Sequence, residues 1–263
     1  MKIPDLYINE DLAEHWKVDE SRESFNRFLN HVINSTNMFN YFYKAAISIL
    51  KNYNEDGLII ADIGGGIGWT AAILSKFPQI KKIYVIDISD KRLERGKYIL
   101  KHFKVDTDKI KFIKGHFTDF ELDEKVDIVI MHGAFHHVFI EDMEQLFKKI
   151  RSIIKETKYS YVDFKNKKRL ITNVPQLIIS GEHYLTNIGF FKKILKKILD
   201  KISNQPIKSP KGSEHERTLY EIKKIFKKNN VKAKYHFFEE DNIKKKNSII
   251  HRNLIYYFAE IKL

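Results

Sequence analysis

The sequence predicts an α/β fold in which a mostly parallel β-sheet carries helices on both faces. Short apolar runs typical of buried strands alternate with helical patterns from residue 58 to residue 164. A glycine-rich turn directly follows the first of these runs. The chain has 263 residues, of which 43% are hydrophobic, so it can bury a sheet of this size. These observations predict one large α/β core with further segments around it.

Five strand-like runs define the predicted sheet. They are rich in β-branched and aromatic residues and cover 58–63, 82–87, 110–113, 126–131 and 159–164. Helical patterns fill the intervals between them, at 70–77, 90–103 and 141–154. The second of these helices begins at Asp90, a residue type suited to cap it. Because strands joined through helices run in the same direction, the runs predict consecutive βαβ units.

The rest of the chain surrounds this core. We expect an N-terminal helical cap, the core, a basic lid insertion, and a C-terminal helix with closing strands, at residues 1–56, 57–164, 165–213 and 214–263. Aromatic residues at helical spacing indicate the cap. The lid contains a sharply amphipathic helical pattern at 190–202. Two apolar runs, 231–238 and 254–261, predict an antiparallel hairpin that closes the sheet.

Composition excludes several classes of protein. The chain has no cysteine, so disulfides and thiolate-bound metals are excluded. The net charge of +13 comes mainly from lysine rather than from arginine clusters, which is more typical of codon bias than of a dedicated RNA-binding protein. No apolar run behind Met1 indicates a signal peptide, and no uninterrupted run of about 18 apolar residues predicts a membrane span. We therefore expect a cytoplasmic protein.

The glycine-rich turn is the most informative motif. It reads Asp62-Ile63-Gly64-Gly65-Gly66-Ile67-Gly68, between a strand and a helix. A dinucleotide fingerprint starting at Gly64 requires a third glycine where the chain has Trp69, and no Gly-Lys-Ser/Thr follows for a phosphate loop. The pattern is instead Asp-x-Gly-x-Gly-x-Gly, with the carboxylate at the end of the strand.

This pattern suits S-adenosyl-L-methionine, a cofactor without phosphate. The ammonium of its methionine part can be bound by a carboxylate such as Asp62, directly or through water. Its ribose carries two neighbouring hydroxyls, and Asp87 ends the second strand, 19 residues after Gly68. An acid about 20 residues beyond a glycine turn binds ribose in nucleotide folds. We therefore expect the two acids to hold opposite parts of one cofactor.

At this point the chain resembles the class I S-adenosylmethionine-dependent methyltransferases. The resemblance covers residues 58–164 and rests on the glycine turn, on Val85-Ile86-Asp87-Ile88-Ser89, on Val126-Asp127-Ile128-Val129-Ile130 and on His136-His137-Val138. It implies a Rossmann-like seven-stranded sheet whose last hairpin is reversed. It also implies that Asp62 and the glycines surround the methionine part, Asp87 binds the ribose, and Ile88 contacts the adenine.

Two positions after the third strand depart from the family pattern. Many members have Gly-Asp here, with the acid on the adenine amine, whereas this chain reads Gly115-His116-Phe117-Thr118-Asp119. Phe117 remains suited to pack on adenine, and Asp119 is a candidate substitute for the acid. We include His116 and Phe117 among the expected cofactor contacts.

Histidines at the end of the fourth strand are the candidate catalytic groups. The segment reads Met131-His132-Gly133-Ala134-Phe135-His136-His137, and ligands of open α/β sheets bind beyond the carboxyl ends of the strands. We expect His132 and Gly133 to contact the cofactor. A histidine of near-neutral pKa can remove a proton from the acceptor, a role that the resemblance assigns first to His137 and then to His136. The alternative is that the histidine pair only orders the loop. No carboxylate at ligand spacing supports a metal site.

The acceptor is not fixed by these motifs. We expect a small-molecule acceptor methylated on oxygen, nitrogen or carbon, because the Asn/Asp-Pro-Pro-aromatic step of base-amine methylases is missing and no RNA-binding module is visible. An RNA- or membrane-lipid-directed methyltransferase and a non-catalytic binding protein remain alternatives. The helix at 190–202 either roofs the pocket, which we favour, or makes a peripheral contact with an anionic membrane. The sequence does not give the oligomeric state.

Overall fold

The computed structural model describes residues 13–52, 56–155, 160–164, 167–171, 177–185, 217–237 and 254–262. The N-terminal part contains the helices predicted for the cap. After a 3-10 turn, it forms α1 (Arg22–Leu29), a π-helical segment (Asn30–Ser35) and α2 (Met38–Asn52). The Ser21 side chain accepts a hydrogen bond from the Ser24 amide and so caps α1. Asn37, with a φ of 57°, turns the chain between the π-helical segment and α2.

The core then alternates strands and helices as far as residue 153. Its elements are β1 (Leu58–Ile63), α3 (Trp69–Leu74), β2 (Ile80–Asp87), α4 (Asp90–Phe103), β3 (Ile110–Lys114), β4 (Ile128–His132) and α5 (Met143–Ile153). The cap of α4 is Ser89, whose hydroxyl accepts from the Arg92 amide, and Asp90 is the first residue of the helix. Our assignment of the cap to Asp90 was therefore wrong by one residue.

The C-terminal half adds five strands and a helix. They are β5 (Ser160–Phe164), β6 (Lys167–Ile171), β7 (Leu177–Leu185), α6 (Leu219–Lys228), β8 (Lys232–Phe237) and β9 (Leu254–Lys262). The main sheet has the order β3-β2-β1-β4-β7-β9-β8. The five strands from β3 to β7 are parallel, and β9 lies antiparallel to both β7 and β8. The expected parallel, Rossmann-like α/β arrangement is confirmed.

One strand of the prediction was wrong. The run at 159–164 is not the fifth strand of the main sheet, because β5 pairs with β6 in a separate antiparallel sheet. The place beside β4 belongs to β7, which we had assigned to the lid insertion. A central parallel strand is buried on both faces and therefore needs a continuous apolar run. Leu177, Ile178 and Ile179 provide one and are fully buried, whereas residues 159–164 alternate with polar residues. The core thus extends beyond residue 164.

The cap shares a hydrophobic core with one face of the sheet. Phe28 and Phe42 from the cap belong to the same buried cluster as Ile60, Ile130 and Ile178 from three strands. The other face packs on α5 and α6 through a second cluster. The cap is therefore continuous with the core rather than a separate domain. Residues 1–12 and the amphipathic pattern at 190–202 lie outside the described residues. No helix among the described residues is long and apolar enough to cross a membrane.

Candidate functional site

The glycine turn lies at the carboxyl end of β1 and is shaped for close approach of a ligand. Gly64, Gly66 and Gly68 all have positive φ values, of 74°, 56° and 74°. A Cβ on Gly64 would lie 2.6 Å from the Ala134 Cβ. A Cβ on Gly65 would lie 2.8 Å from Val85 Cγ1 and 2.9 Å from Asp62 Oδ2. Glycine is therefore required here both by backbone conformation and by lack of space.

Asp62 lies beneath this turn with one oxygen unsatisfied. Its carboxyl is 1% exposed, and Oδ2 accepts a hydrogen bond from the hydroxyl of Thr70 on α3. Oδ1 is buried and has no hydrogen-bond partner among the described residues. Burial raises the pKa of Asp62 to about 7; the Thr70 hydrogen bond opposes this rise and the charge of Asp87 adds to it. A cationic group placed here would satisfy Oδ1 and favour the ionised form.

Asp87 ends β2 next to the same turn. Its Oδ2 accepts from the Gly66 amide at 2.9 Å, and its Oδ1 accepts from the Ser89 amide at 2.9 Å. The side chain is 7% exposed. These two amides orient the carboxylate. The predicted pair of acids is thus positioned on adjacent strands, on either side of the glycines.

A cleft beside the glycine turn is lined by the turn, the end of β4 and the cap, and neither Asp62 nor Asp87 is among the described residues that line it. Its lining comprises Trp16, Met38, Gly64, Gly65, Gly66, Ile67, Trp69, Thr70, Arg92, His132 and Gly133. His132 is 6% exposed, and its ring lies edge-on to Phe42 and Trp69, at 5.2 and 5.3 Å between centroids. Gly133 has a φ of 60°. The expected placement of His132 and Gly133 at the cleft is therefore observed.

Several lining residues were missed by the sequence analysis. Trp16 and Met38 come from the cap, far along the chain from the glycine turn, and no local pattern marks them. Arg92 lies on the first turn of α4, and Thr70 on the first turn of α3. Thr70 could have been predicted from the sequence. It lies two residues after Gly68 on a short helix, so that its hydroxyl faces back toward the end of β1. Trp69, which we used only to reject a dinucleotide fingerprint, is buried and contributes to the wall.

Three further residues that we predicted to contact the cofactor, Ile88, His116 and Phe117, are not among the described residues that line the cleft. Ile88 is partly exposed after β2. Phe117 lies near the turn, since its Cε1 would be 3.4 Å from a Cβ on Gly64. His116 Nδ1 and the Thr118 hydroxyl are 2.9 Å apart, and burial lowers the pKa of His116. These three contacts with the cofactor stay predictions.

His136 and His137 form a 3-10 turn with Phe135 immediately after β4. Their rings are 4.0 Å apart, and both side chains are partly exposed. Their catalytic role stays a prediction. Asp127, predicted to be structural, accepts from the Ile59 amide at 2.8 Å and from Lys155 Nζ at 2.9 Å. No cluster of potential metal ligands occurs in the part of the chain that the structure describes.

Comparison with known proteins supports the resemblance to methyltransferases. Residues 60–157 match the family described as Methyltransferase domain. Such a domain implies S-adenosyl-L-methionine as the cofactor. No curated protein matches the chain.

Three solved structures show a similar fold. Magnesium protoporphyrin IX methyltransferase from Synechocystis PCC 6803 with bound SAH has a TM-score of 0.56 and 15% identity, over 98% of this chain and 95% of that one. The YcgJ protein from Bacillus subtilis has a TM-score of 0.51 and 14% identity, over 83% and 96%. Human N-acetylserotonin methyltransferase in complex with SAM has a TM-score of 0.50 and 15% identity, over 99% and 60%. At these identities the likeness establishes the fold.

Proposed function

We propose that this protein is an S-adenosylmethionine-dependent methyltransferase that methylates a small-molecule acceptor by direct displacement. The observation that carries the proposal is the Asp62 carboxylate, buried below the glycine turn with Oδ1 lacking a partner among the described residues. A buried carboxylate without a counter-charge is costly unless a ligand supplies one. The ammonium of the cofactor is a suitable counter-charge. Neutral ligands would leave this cost in place.

The other parts of the cleft fit the rest of the cofactor. Asp87 is oriented by two backbone amides and can accept both ribose hydroxyl protons. The glycines leave room for the methionine part to pass close to the backbone. The rings of Trp69 and Phe42 pack edge-on against His132 and form an apolar wall suited to keep water from the transferred methyl group. A displacement at a sulfonium depends mainly on this alignment and on the exclusion of water.

Removal of the acceptor proton is assigned here to His137, with His136 as the second choice. Both follow the carboxyl end of β4, and both retain exposed surface through which they can reach a substrate. His137→Ala should lower turnover at least tenfold while leaving cofactor affinity within about twofold, as expected for a group that acts only on the acceptor. His136→Ala is the matched comparison. Unchanged turnover in the His137→Ala variant would indicate that His137 only orders the loop.

The first test is a calorimetric titration of the full chain with S-adenosylmethionine, S-adenosylhomocysteine and NAD. Micromolar binding of the first two and no binding of NAD is expected. Transfer of a labelled methyl group to a metabolite pool then distinguishes an enzyme from a non-catalytic binding protein of the same fold. If neither methionine derivative binds, the assignment of the cleft is wrong.

A further inference from the structure

Helix α6 has two faces of very different character. Ile222, Ile225 and Phe226 are buried against the sheet. The opposite face carries Tyr220 and the exposed lysines 223, 224, 227 and 228. Relative to Tyr220, these lysines stand at the third, fourth, seventh and eighth positions, so they form one stripe. The solvent face of α6 is therefore strongly basic, with an aromatic ring at its N-terminal end.

These lysines differ from those of the neighbouring helix in lacking acidic partners. On and after α5, Lys148 pairs with Glu144, Lys149 with Glu121, and Lys155 with Asp127. No lysine of α6 forms an ion pair with another residue that the structure describes. The one carboxylate of α6, Glu221, instead accepts hydrogen bonds from the amide and hydroxyl of Thr218 in a capping box. Lys223 lies over the ring of Tyr235, 5.7 Å from its centroid, and Lys228 acts electrostatically on Glu144, so within the described residues only weak interactions offset the charge of the stripe.

The stripe begins beside two exposed apolar side chains. Tyr220 is 75% exposed and Ile140 is 64% exposed, the highest values among the large hydrophobic residues described. Arg217 Nη2 donates a hydrogen bond to the Val138 carbonyl, which ties the start of α6 to the loop after β4. Ile140 lies two residues beyond Val138, and Tyr220 three residues beyond Arg217. The start of α6 and the loop after β4 therefore lie together, and each carries one of these exposed side chains.

From this arrangement we infer that the solvent face of α6, together with Ile140, docks the protein on an anionic lipid bilayer. Tyr220 and Ile140 would enter the interface between headgroups and acyl chains, and Lys223, Lys224 and Lys227 would lie against the anionic headgroups. The inference goes beyond the proposed methyl transfer and does not depend on it.

A bilayer fits this surface better than a nucleic acid does. The α6 stripe has no arginine, the residue that pairs with phosphates through two hydrogen bonds. Single-stranded nucleic acids are held by several aromatic rings along a groove, whereas α6 offers one tyrosine on a convex helix. Ile140 cannot stack on a base, but its aliphatic side chain gains free energy on entering acyl chains. The mixture of lysine with exposed apolar tips is typical of interfacial helices.

Flotation of the full chain with vesicles tests the inference. We expect binding to vesicles of phosphatidylcholine containing about 30 mol% phosphatidylglycerol and little binding to phosphatidylcholine alone. Binding should weaken as salt rises from about 0.05 to about 0.5 M, because the Debye length falls over this range. Equal binding to both kinds of vesicle, or to neither, would overturn the inference.

Two variants locate the surface. The triple variant Lys223→Ala, Lys224→Ala, Lys227→Ala should partition onto anionic vesicles about a hundredfold more weakly. This corresponds to about fivefold for each lysine. The matched control removes three exposed lysines elsewhere, Lys91, Lys97 and Lys125, and should change partitioning less than about threefold. An equal loss of partitioning in the control variant would mean that binding depends only on net charge. It would overturn the assignment of the membrane-binding face to α6.

A second pair of variants tests the apolar contribution. Tyr220→Ser with Ile140→Ser should lower partitioning about tenfold or more without changing its salt dependence, whereas Tyr43→Ser, at a tyrosine that is 46% exposed on α2, should have no effect. If the lysines are needed to bind single-stranded RNA, and Tyr220 and Ile140 contribute nothing to vesicle binding, the partner is a nucleic acid and the inference is wrong. Calorimetric titration of each variant with S-adenosylhomocysteine reports cofactor binding separately.

Discussion

A single carboxyl group, that of Asp62, is expected to link the stability of this protein to ligand binding. Asp62 is almost fully buried, and its pKa is raised to about 7 from 3.8. A raised pKa in the folded state means that the folded protein binds a proton more tightly than the unfolded chain does. The stability contributed by this group is therefore complete below about pH 4 and is lost as the pH rises through about 7. A cation bound at Oδ1 offsets that loss.

The same carboxyl predicts how cofactor affinity depends on pH. The ammonium of S-adenosylhomocysteine favours ionised Asp62, so binding must displace the proton below about pH 7. Affinity should rise up to tenfold per pH unit below pH 7 and level off above it, and Asp62→Asn should bind weakly with little pH dependence. Calorimetry from about pH 5.5 to 7.5 measures this, a range in which the ligand amine stays protonated. A pH-independent wild type would show that Asp62 does not hold the ammonium.

Asp87 leads to a prediction about cofactor affinity that does not involve the protonation of Asp62. Asp87→Ala removes the charged acceptor to which the ribose hydroxyls are expected to donate hydrogen bonds, each worth roughly 1.5–3 kcal/mol. We expect the dissociation constant for S-adenosylhomocysteine to rise at least tenfold. The control is Asp123→Ala, which removes an exposed carboxylate paired with Lys111 away from the cleft. Full affinity in the Asp87 variant would contradict the assignment of the ribose site.

The sequence indicated where these residues lie in the fold when the signal was local, and their contacts with the cofactor stay predictions. Asp62, Asp87 and the glycines lie at the ends of adjacent strands, so that strand order alone brings them together. Trp16, Met38 and Arg92 line the same cleft through packing between the cap, the turn and α4. Contacts between segments that are distant in sequence depend on tertiary packing. They produce no periodic pattern in a single sequence.

At the scale of elements, the strands with continuous apolar sequence were placed correctly. β1, β2 and β4 are buried along nearly their whole length, and their runs stood out for that reason. The fifth parallel strand was misplaced because its apolar part is only Leu177-Ile178-Ile179, inside a segment that is otherwise polar. The longer alternating run at 159–164 gave a stronger but misleading signal. Short apolar runs are ambiguous whenever the sheet order is unknown.

Gly57, directly before β1, and Gly68, directly before α3, permit a comparison of two glycines. Gly57 and Gly68 both have positive φ values, of 86° and 74°. A Cβ on Gly57 meets nothing within 4 Å, whereas one on Gly68 would lie 2.8 Å from Phe112 Cε1. Gly57→Ala should thus cost about 1–2 kcal/mol of unfolding free energy from backbone strain alone. Gly68→Ala should cost about 1–3 kcal/mol more, because Phe112 must also move.

Urea denaturation of both variants measures the difference between these glycines. The Gly68 variant should also bind S-adenosylhomocysteine more weakly, since the turn must shift, while the Gly57 variant should bind normally. Equal destabilisation of the two proteins would indicate that Phe112 adapts at no cost, and that the close packing of the turn against β3 is less important than we infer.

For the whole molecule, the cap packs directly on the core beside the cleft. The Arg95 guanidinium donates to the Trp16 carbonyl at 3.5 Å, and His102 Nε2 lies 2.9 Å from the Asp19 carbonyl. Phe25 stacks on the ring of His102 at 4.3 Å. These contacts hold residues 13–35 against α4, so that Trp16 covers one side of the glycine turn. A ligand in the cleft must therefore contact both parts.

This coupling predicts that cofactor binding slows local opening of the cap. A ligand that binds only the closed form stabilises it by RT ln(1 + [L]/Kd), which is about 2.7 kcal/mol at a hundredfold excess over Kd. Amide hydrogen exchange in residues 13–35 should therefore slow by up to about a hundredfold with S-adenosylhomocysteine, provided that these residues exchange by lifting off α4. Trp16→Ala should reduce this effect while the glycine turn remains protected. Unchanged exchange in the wild-type cap, beside a protected turn, would mean that the cap opens without releasing the cofactor and that the two are not coupled.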